Sequence, residues 1–210
     1  MRLVLASTSP RRRELLALLN LPFEVRSPNY EEVLVPHQRT EDLVADFARA
    51  KAGSVASQDP EAMILASDTL IEADGVALGK PRDLAEARMM LRHLAGRSHV
   101  VKTAVTAACQ ARHFEHTEIS TARVWMKPLD MNAQERYLMT GDSLGKAGAY
   151  SIQGSGAELI ERVEGDFTTV VGFPLRVVAR LLMQGGLTVP VDVESVYVRK
   201  PYGNWARFPG

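Results

Sequence analysis

Short apolar runs alternate with helix-spaced apolar positions over the first half of the chain. The run at residues 2–6 predicts a buried strand, and Ser9-Pro10 then opens a helix, because serine is a favoured N-cap and proline is tolerated in the first turn. The other elements predicted in this half are a strand at 23–26, a loop at 27–39, a helix at 41–57 capped by Thr40, a strand at 62–66 and a helix opened by the capping box Asp83-x-x-Glu86. The strand at 62–66 is predicted to end at Ser67-Asp68-Thr69, and the alternative is a continuation through Leu70-Ile71.

The second half of the chain begins with alternating apolar and polar positions. Residues 99–109 and 115–126 predict an antiparallel pair of strands. The elements predicted after them are a helix at 131–139, a Gly-rich stretch at 145–156, a strand near 158–163 and a helix from about Pro174. The region from about 187 contains Pro190, Pro201 and Pro209 and is predicted to be irregular. We therefore predict a mixed α/β domain at 1–186 and a C-terminal extension at 187–210.

Composition narrows the class of protein. The 210 residues include 25 Lys and Arg and 25 Asp and Glu, so the formal net charge is zero, whereas extended nucleic-acid binding usually requires a basic excess. The single cysteine, Cys109, rules out a disulfide within the chain, which suits a reducing compartment. No apolar run reaches the ~18 residues of a membrane span, and the N-terminal run is too short for a signal peptide. We expect a cytoplasmic protein that binds neither nucleic acid nor membrane.

The first chemical signal lies where the first strand meets the first helix. Ser7 and Ser9 occupy the turn, and Arg11, Arg12 and Arg13 occupy the first helical turn. Free backbone N–H groups and the helix dipole attract anions at such a position, and arginine binds phosphate oxygens bidentately. The three arginines oppose the dipole by about 0.3–1 kcal/mol each, which a bound anion would relieve. The alternative is a solvated basic helix end with surface ion pairs.

Acidic residues and a lysine indicate a second centre. Asp68 ends a predicted strand, and carboxylates in that position often face the ligand crevice of an α/β sheet. Glu31 and Glu32 follow the strand at 23–26, so that together with Asp68 they could hold a hard cation through oxygen atoms. Lys51 lies on the second predicted helix. For each of these residues the alternative is an ordinary solvated charge, and a lone strand-ending Asp is more often that.

Two glycine-containing segments complete the candidate chemistry. Lys80 follows Gly79 in a turn before a capped helix, where lysine could act as a point charge for phosphate. Gln153 lies in the Gly-rich stretch and can both donate and accept, as reading of a base edge requires. Either segment could equally be a structural turn, and the chain has no P-loop motif.

Taken in order, these segments resemble the Maf family of nucleotide pyrophosphatases. The blocks that carry the resemblance are Ser7–Leu16, Ser67–Thr69, Gly79–Pro81 with Leu94–His99, Ala147–Gly154 and Val170–Leu175. The resemblance covers about residues 2–183. It implies a fold like that of inosine-triphosphate pyrophosphatases, in which a curved mixed central sheet with flanking helices forms two lobes around a cleft.

The resemblance also implies an activity. Family members are hydrolases that depend on Mg²⁺ or Mn²⁺, are usually homodimers, and release pyrophosphate from nucleoside triphosphates in nucleotide-pool housecleaning. The subgroup that acts on dTTP and UTP carries the residue types found here at Arg11, Thr69 and Gln153. The 7-methyl-GTP subgroup tends to have Trp, Gln and Glu in the corresponding motifs. The resemblance therefore favours dTTP and UTP.

Roles for individual residues follow from this resemblance. Asp68 would be the general base and a metal ligand, and Glu32 the second metal ligand. Lys51 and Lys80 would complete the catalytic set. The residues expected to hold the triphosphate, besides these lysines, are Ser7, Ser9, Arg11 and Arg12, and those expected to select the base are Thr69 and Gln153. Whether Asp68 takes the proton itself or only holds the metal stays open.

Two other functions stay open at this stage. One is the same hydrolysis of 7-methyl-GTP or of modified nucleotides. The other is a nucleotide-binding regulator of septum formation, which would bind nucleotide tightly and turn it over negligibly. The C-terminal extension lies outside the shared pattern, and its aromatic residues either pack on the domain or lie at a dimer interface.

Overall fold

The structure is a computed structural model and describes residues 1–35 and 37–208. Pro36 of the predicted loop and Pro209 of the predicted tail lie outside the described residues, as does Gly210. The strands are β1 (Leu3–Ala6), β2 (Glu24–Arg26), β3 (Met63–Ala73), β4 (Val76–Leu78), β5 (Ser98–Cys109), β6 (Phe114–Met126) and β7 (Ile160–Glu164). The helices are α1 (Pro10–Ala17), α2 (Thr40–Ala56), α3 (Leu84–Leu94), α4 (Met131–Met139), α5 (Phe167–Val171), α6 (Leu175–Gln184) and α7 (Val193–Arg199).

The strands form a seven-stranded mixed sheet in the order β2-β1-β3-β5-β6-β7, with β4 also paired to β3. β1 is parallel to β2 and β3, whereas the other pairs are antiparallel. Side chains alternate between the two faces, so Leu3 and Leu5 join the main core with α1, α3 and α6, while Val4 and Ala6 face α2. The sheet thus carries helices on both faces, and the predicted mixed α/β fold is confirmed.

An unpaired stretch of β3 creates the opening for a site. β1 pairs with β3 only over Met63–Leu65, and β4 pairs with β3 only from Ile71 to Ala73. The stretch between these two partners contains Ser67, Asp68 and Thr69. These residues pair with β5 on one edge of β3, and their other edge is unpaired. Asp68 was predicted at the end of a strand, but β3 continues to Ala73 because β5 supports it, so Asp68 lies in the middle of the strand.

Two predicted helix caps differ in detail. Thr40 was predicted to be an N-cap, but it is the first residue of α2, and Arg39 takes the cap position without a side-chain bond. Asp83 caps α3 by accepting from the Glu86 N–H at 2.8 Å, as predicted. The Glu86 carboxylate accepts from the Arg82 N–H at 2.7 Å, one residue before the position that a reciprocal capping box requires.

The prediction of an irregular C-terminal extension is wrong. Residues 193–199 form α7, and residues 205–207 form a short 3-10 turn. Trp205 is 1% exposed and stacks on Phe167 of α5, with ring centroids 5.4 Å apart, because burial of its indole outweighs the local bias of the prolines. The extension therefore packs on the domain.

Among the described helices, none combines the length and the apolar character that crossing a membrane demands.

Candidate active site

A cavity of about 600 Å³ opens at the unpaired stretch of β3. A volume of this size lies within the usual range of small-molecule sites, about 300–1,000 Å³. Ten of the residues named from the sequence lie on its wall, namely Ser7, Ser9, Arg11, Arg12, Glu32, Lys51, Asp68, Thr69, Lys80 and Gln153. Glu31 is exposed and does not line the cavity, because the chain directs Glu32 towards α2 instead. The structure therefore places these predicted residues together in one cavity, while their individual roles stay predictions.

Lys51 joins the two carboxylates of the site. It lies on the buried face of α2, and its Nζ donates to Glu32 Oε1 at 2.5 Å and also to Asp68 Oδ1. Lys80 Nζ donates to both oxygens of Glu32, at 2.7 and 2.9 Å. The Lys51 and Asp68 side chains are only 7% and 2% exposed, whereas Lys80 is 49% exposed. The result is a buried, charged cluster with Lys80 at its rim.

The environment drives the proton affinities of the two carboxylates apart. Burial raises the pKa of Asp68, and the neighbouring Glu32 adds to this, although Lys51 and Arg12 oppose it. Burial also disfavours the charge on Glu32, but the charges and hydrogen bonds of Lys51 and Lys80 outweigh it and lower the pKa of Glu32 to about 2. Carboxylates whose pKa values diverge in one site commonly divide acid–base work between them. Asp68 is thus the carboxylate better suited to accept a proton.

One oxygen of Asp68 has no partner among the described residues. Asp68 Oδ1 accepts from Lys51, but Oδ2 is buried without a hydrogen bond. A buried oxygen of this kind normally has a partner. No group of three or more acidic, His or Cys side chains that could hold a metal occurs within residues 1–35 and 37–208. The available pair, Asp68 and Glu32, still fits Mg²⁺, which is often bound by one or two carboxylates and by substrate phosphates and water.

The contacts of Arg12 are with the protein itself. Its guanidinium donates to the carbonyl of Gly172 (3.1 Å), the carbonyl of Ser67 (2.6 Å) and the hydroxyl of Thr69 (3.4 Å). The Ser67 carbonyl lies on the unpaired edge of β3, so Arg12 supplies a donor that a neighbouring strand would otherwise provide. These contacts use three of the five guanidinium N–H groups. Arg12 therefore supports the wall of the cavity, a role that its predicted phosphate contact did not include.

Gly172 contacts Arg12 and packs closely against the same part of the cavity wall. It has a φ of +99°, and its carbonyl accepts from Arg12 Nε and from Ser67 Oγ at 3.0 Å. A Cβ atom at this position would lie 2.8 Å from Thr69 Oγ1. Glycine is required here both for the left-handed conformation and for the close approach of Thr69.

The N-terminus of α1 faces the cavity. Ser9 is its N-cap, as predicted, but its side chain makes no capping bond, and Ser7 Oγ accepts from the Ser9 N–H at 3.1 Å. The first amides of a helix have no intrahelical acceptor and attract anions. Arg11 Nε is buried without a partner among the described residues, and burial lowers the pKa of Arg11. This corner therefore offers an incoming anion a buried guanidinium N–H that has no partner among the described residues.

The cavity residues that were not assigned a role from the sequence include two tyrosines and a lysine. Lys146 lines the cavity with its side chain 16% exposed, and burial followed by the charge of Arg11 lowers its pKa. Tyr150 also lines it, and its hydroxyl is 2.7 Å from His99 Nε2. Tyr30 lines the cavity as well, with its ring centroid 6.0 Å from that of Phe47. Lys146 and Tyr150 belong to the Gly-rich stretch, so a cation and an aromatic ring next to flexible glycines were the available signal.

Comparison with known proteins gives the family of the chain. Residues 2–185 match the family model described as Maf-like protein. The chain is 45% identical over 188 residues to the dTTP/UTP pyrophosphatase of Myxococcus xanthus, which covers 90% of this chain and 94% of that protein. It is 43% identical over 183 residues to the dTTP/UTP pyrophosphatase of Bacillus velezensis, covering 87% of this chain and 96% of that protein.

A solved structure is similar in fold. The structure of the Staphylococcus aureus Ham1 protein aligns with a TM-score of 0.50 and 14% sequence identity, covering 88% of this chain and 97% of that chain. At this level of identity the similarity concerns the fold alone.

Proposed function

The chain belongs to the Maf family, and from that premise we propose that it hydrolyses dTTP and UTP to the nucleoside monophosphate and pyrophosphate. The relatives named dTTP/UTP pyrophosphatase support this, since 43–45% identity extends over nearly their whole length. The observation that carries the proposal is the buried Asp68, which lines the same cavity as Lys51, Lys80 and Arg11 and whose Oδ2 has no hydrogen bond among the described residues.

The reaction is a substitution at the α-phosphorus. The oxygen of a water molecule forms a bond to that phosphorus, and the bond from it to the oxygen that bridges to the β-phosphate breaks. One proton of the water passes to Asp68 Oδ2, and pyrophosphate leaves with the bonding electron pair. The raised pKa of Asp68 suits it to receive this proton. Charge builds on the phosphate oxygens in the transition state, so positioned cations contribute most of the stabilisation.

Different cationic groups of the cavity are proposed to contact different parts of the triphosphate. Lys80 lies at the rim and is half exposed, so it can contact the phosphates that leave as pyrophosphate. The first amides of α1 and the buried Arg11 lie on another wall. Lys51 lies between Glu32 and Asp68 and pairs with both, which holds the two carboxylates in position.

The enzyme is proposed to require Mg²⁺ or Mn²⁺, held by Glu32 and Asp68. The low pKa of Glu32 keeps this carboxylate ionised, which suits it to the role of metal ligand. A divalent cation at this position would polarise the phosphate and acidify the attacking water.

Gln153, Thr69 and Arg11 are proposed to select the base, which is supported by their place on the cavity wall. We also propose a cytoplasmic homodimer, as the family resemblance implies, and light scattering of the purified chain tests the dimer.

Pyrophosphate release from a panel of nucleotides tests the proposal. The panel contains dTTP, UTP, CTP, GTP, ATP and 7-methyl-GTP, each with Mg²⁺ and with Mn²⁺. We expect rapid release from dTTP and UTP, and none from Asp68→Asn, which keeps the shape of the side chain but cannot accept the proton. The circular dichroism spectrum of Asp68→Asn should match that of the unmodified protein. Release confined to 7-methyl-GTP, or tight nucleotide binding without release, would contradict the proposal.

A further inference from the structure

The C-terminal extension reaches the segment that carries Gln153. The side-chain amide of Asn204 donates through Nδ2 to the carbonyl oxygen of Ile152 at 3.2 Å and to that of Gly154 at 3.3 Å. These two residues stand on either side of Gln153 in the chain. One side chain from the extension therefore holds the backbone on both sides of a residue that lines the cavity.

A buried aromatic residue anchors Asn204 in place. The next residue, Trp205, stacks on Phe167 with an interplanar angle of 12° and meets the edge of Tyr197 at 5.0 Å. Asn204 itself has a φ of +66°, a left-handed conformation that asparagine adopts more readily than most residues. The turn cannot slide along the domain without removing the indole of Trp205 from the core.

The same turn also contacts the helix that carries Arg11. The hydroxyl of Tyr202 donates to Glu14 Oε2 at 2.5 Å, and Glu14 lies one turn after Arg11 on α1. On its other side, Arg207 donates to Glu158 Oε1 at 2.5 Å. Residues 202–208 thus connect α1 to the segment at 150–159, and both of these contribute to the cavity wall.

We propose that the turn at residues 202–208 is a positioning element for nucleotide selection, in which Asn204 holds Gln153 and Tyr202 holds, through Glu14, the helical turn of Arg11. This inference rests on the proposed function, which gives Gln153 and Arg11 the selection of the base. The family match ends at residue 185, so the positioning contacts come from a part of the chain beyond that match. Asn204 and Tyr202 are positioning residues, because they act through residues that line the cavity.

The test compares two glycine substitutions at left-handed positions. Asn204→Gly removes the side-chain amide and keeps a residue that adopts positive φ easily. The matched control is Lys200→Gly, since Lys200 has a φ of +46° in the same extension and its described hydrogen bond stays within α7. Both bonds come from one amide nitrogen, at 3.2 and 3.3 Å, so we count their joint loss as that of one hydrogen bond, which is worth about a factor of five. We expect the ratio of kcat/KM for UTP to that for CTP to fall about fivefold in Asn204→Gly and to stay unchanged in Lys200→Gly.

The change in selectivity should appear in KM. None of the described hydrogen bonds of the extension involves Asp68, Lys51 or Glu32, so kcat for UTP should change by less than about twofold. Amide hydrogen exchange over residues 150–156 should be about fivefold faster in Asn204→Gly alone. An unchanged selectivity ratio in folded Asn204→Gly, or an equal change in Lys200→Gly, would overturn the inference.

Failure of the proposed function gives a different pattern. If the unmodified protein releases no pyrophosphate from any nucleotide, the proposed activity is wrong. Selectivity is then measured as the ratio of Kd values for UTP and CTP, and exchange over residues 150–156 is measured as before. A change of both in Asn204→Gly alone would still support the positioning role, and a change in neither would overturn it.

Discussion

Replacement of Lys51 by methionine tests whether the charge of this lysine, rather than its packing, maintains the site. Methionine keeps an unbranched apolar side chain of similar length and removes the ammonium group. The Asp68 carboxylate would lose its only described hydrogen bond, while Glu32 would keep its two bonds from Lys80. The variant therefore leaves one carboxylate buried without a hydrogen-bond donor, with only the charge of Arg12 nearby, and a second one partly compensated.

The size of the effect can be worked from the two carboxylates. Breaking a buried ion pair by removal of one partner usually costs about 3–5 kcal/mol. The fall in the pKa of Glu32 from 4.5 to about 2 corresponds to about 3 kcal/mol, which Lys51 and Lys80 share. Because the Glu32 side chain is 22% exposed, solvent screening reduces the share of Lys51 to about 1 kcal/mol. With the larger loss at Asp68, we expect the free energy of unfolding to fall by about 3 kcal/mol at pH 7.

The loss of unfolding free energy in Lys51→Met should depend on pH, and the pKa shifts of the two carboxylates determine its direction. The lowered pKa of Glu32 stabilises the fold fully above pH 4.5, and that contribution is lost as the pH falls towards 2. Asp68 has a raised pKa, so its ionisation weakens the fold as the pH rises, and removal of Lys51 strengthens this effect. The deficit of Lys51→Met should therefore grow from about 1 kcal/mol at pH 4 to about 3 kcal/mol at pH 7. Urea unfolding at pH 4, 5, 6 and 7 measures it.

Lys102→Met is the matched control. Lys102 is also buried on the sheet, but it pairs with Glu41 at 2.6 Å and Glu72 at 2.8 Å, away from the cavity wall. Those partners are 36% and 27% exposed, so the loss should be smaller and vary less with pH. We expect pyrophosphate release to persist in Lys102→Met and to fall at least about 100-fold in Lys51→Met. An equal deficit at pH 4 and pH 7, or near-normal turnover of Lys51→Met, would refute the reasoning.

Three further predictions concern base selection, the cavity wall and the metal. Gln153→Glu should lower the preference for UTP and dTTP over the purine nucleotides, because the carboxylate cannot donate; unchanged kcat/KM ratios would count against this role. Gly172→Ala should lower the free energy of unfolding by about 3 kcal/mol, since the left-handed conformation and the 2.8 Å approach to Thr69 Oγ1 both oppose a Cβ atom. In urea unfolding, a loss below about 1 kcal/mol would mean that the turn relaxes. Chelation with EDTA should stop pyrophosphate release, and added Mg²⁺ should restore it; release that continues in EDTA would exclude the proposed metal requirement.

Local rules explain why most secondary structure could be predicted. The helix at 131–139 has the predicted bounds, and Asp130 caps it by accepting from the Ala133 N–H at 2.6 Å. The strands β5 and β6 pair across the predicted segments, with His99 opposite Val124. Periodicity and capping involve residues only a few positions apart, so they are visible in the chain. The short α5 was not predicted, because five residues are too few to show a helical period.

The sequence by itself determined the family, the order of the motifs and ten of the residues that line the cavity. The tertiary structure alone decided how these residues contact one another. Arg12 contacts Gly172, 160 positions away, and Tyr202 contacts Glu14, 188 positions away. The sequence shows these residue types but not their pairing, because pairing depends on how the sheet brings distant segments together. Burial of Trp205 likewise placed the extension on the domain, since the apolar surface that it covers exists only after the rest of the chain has folded.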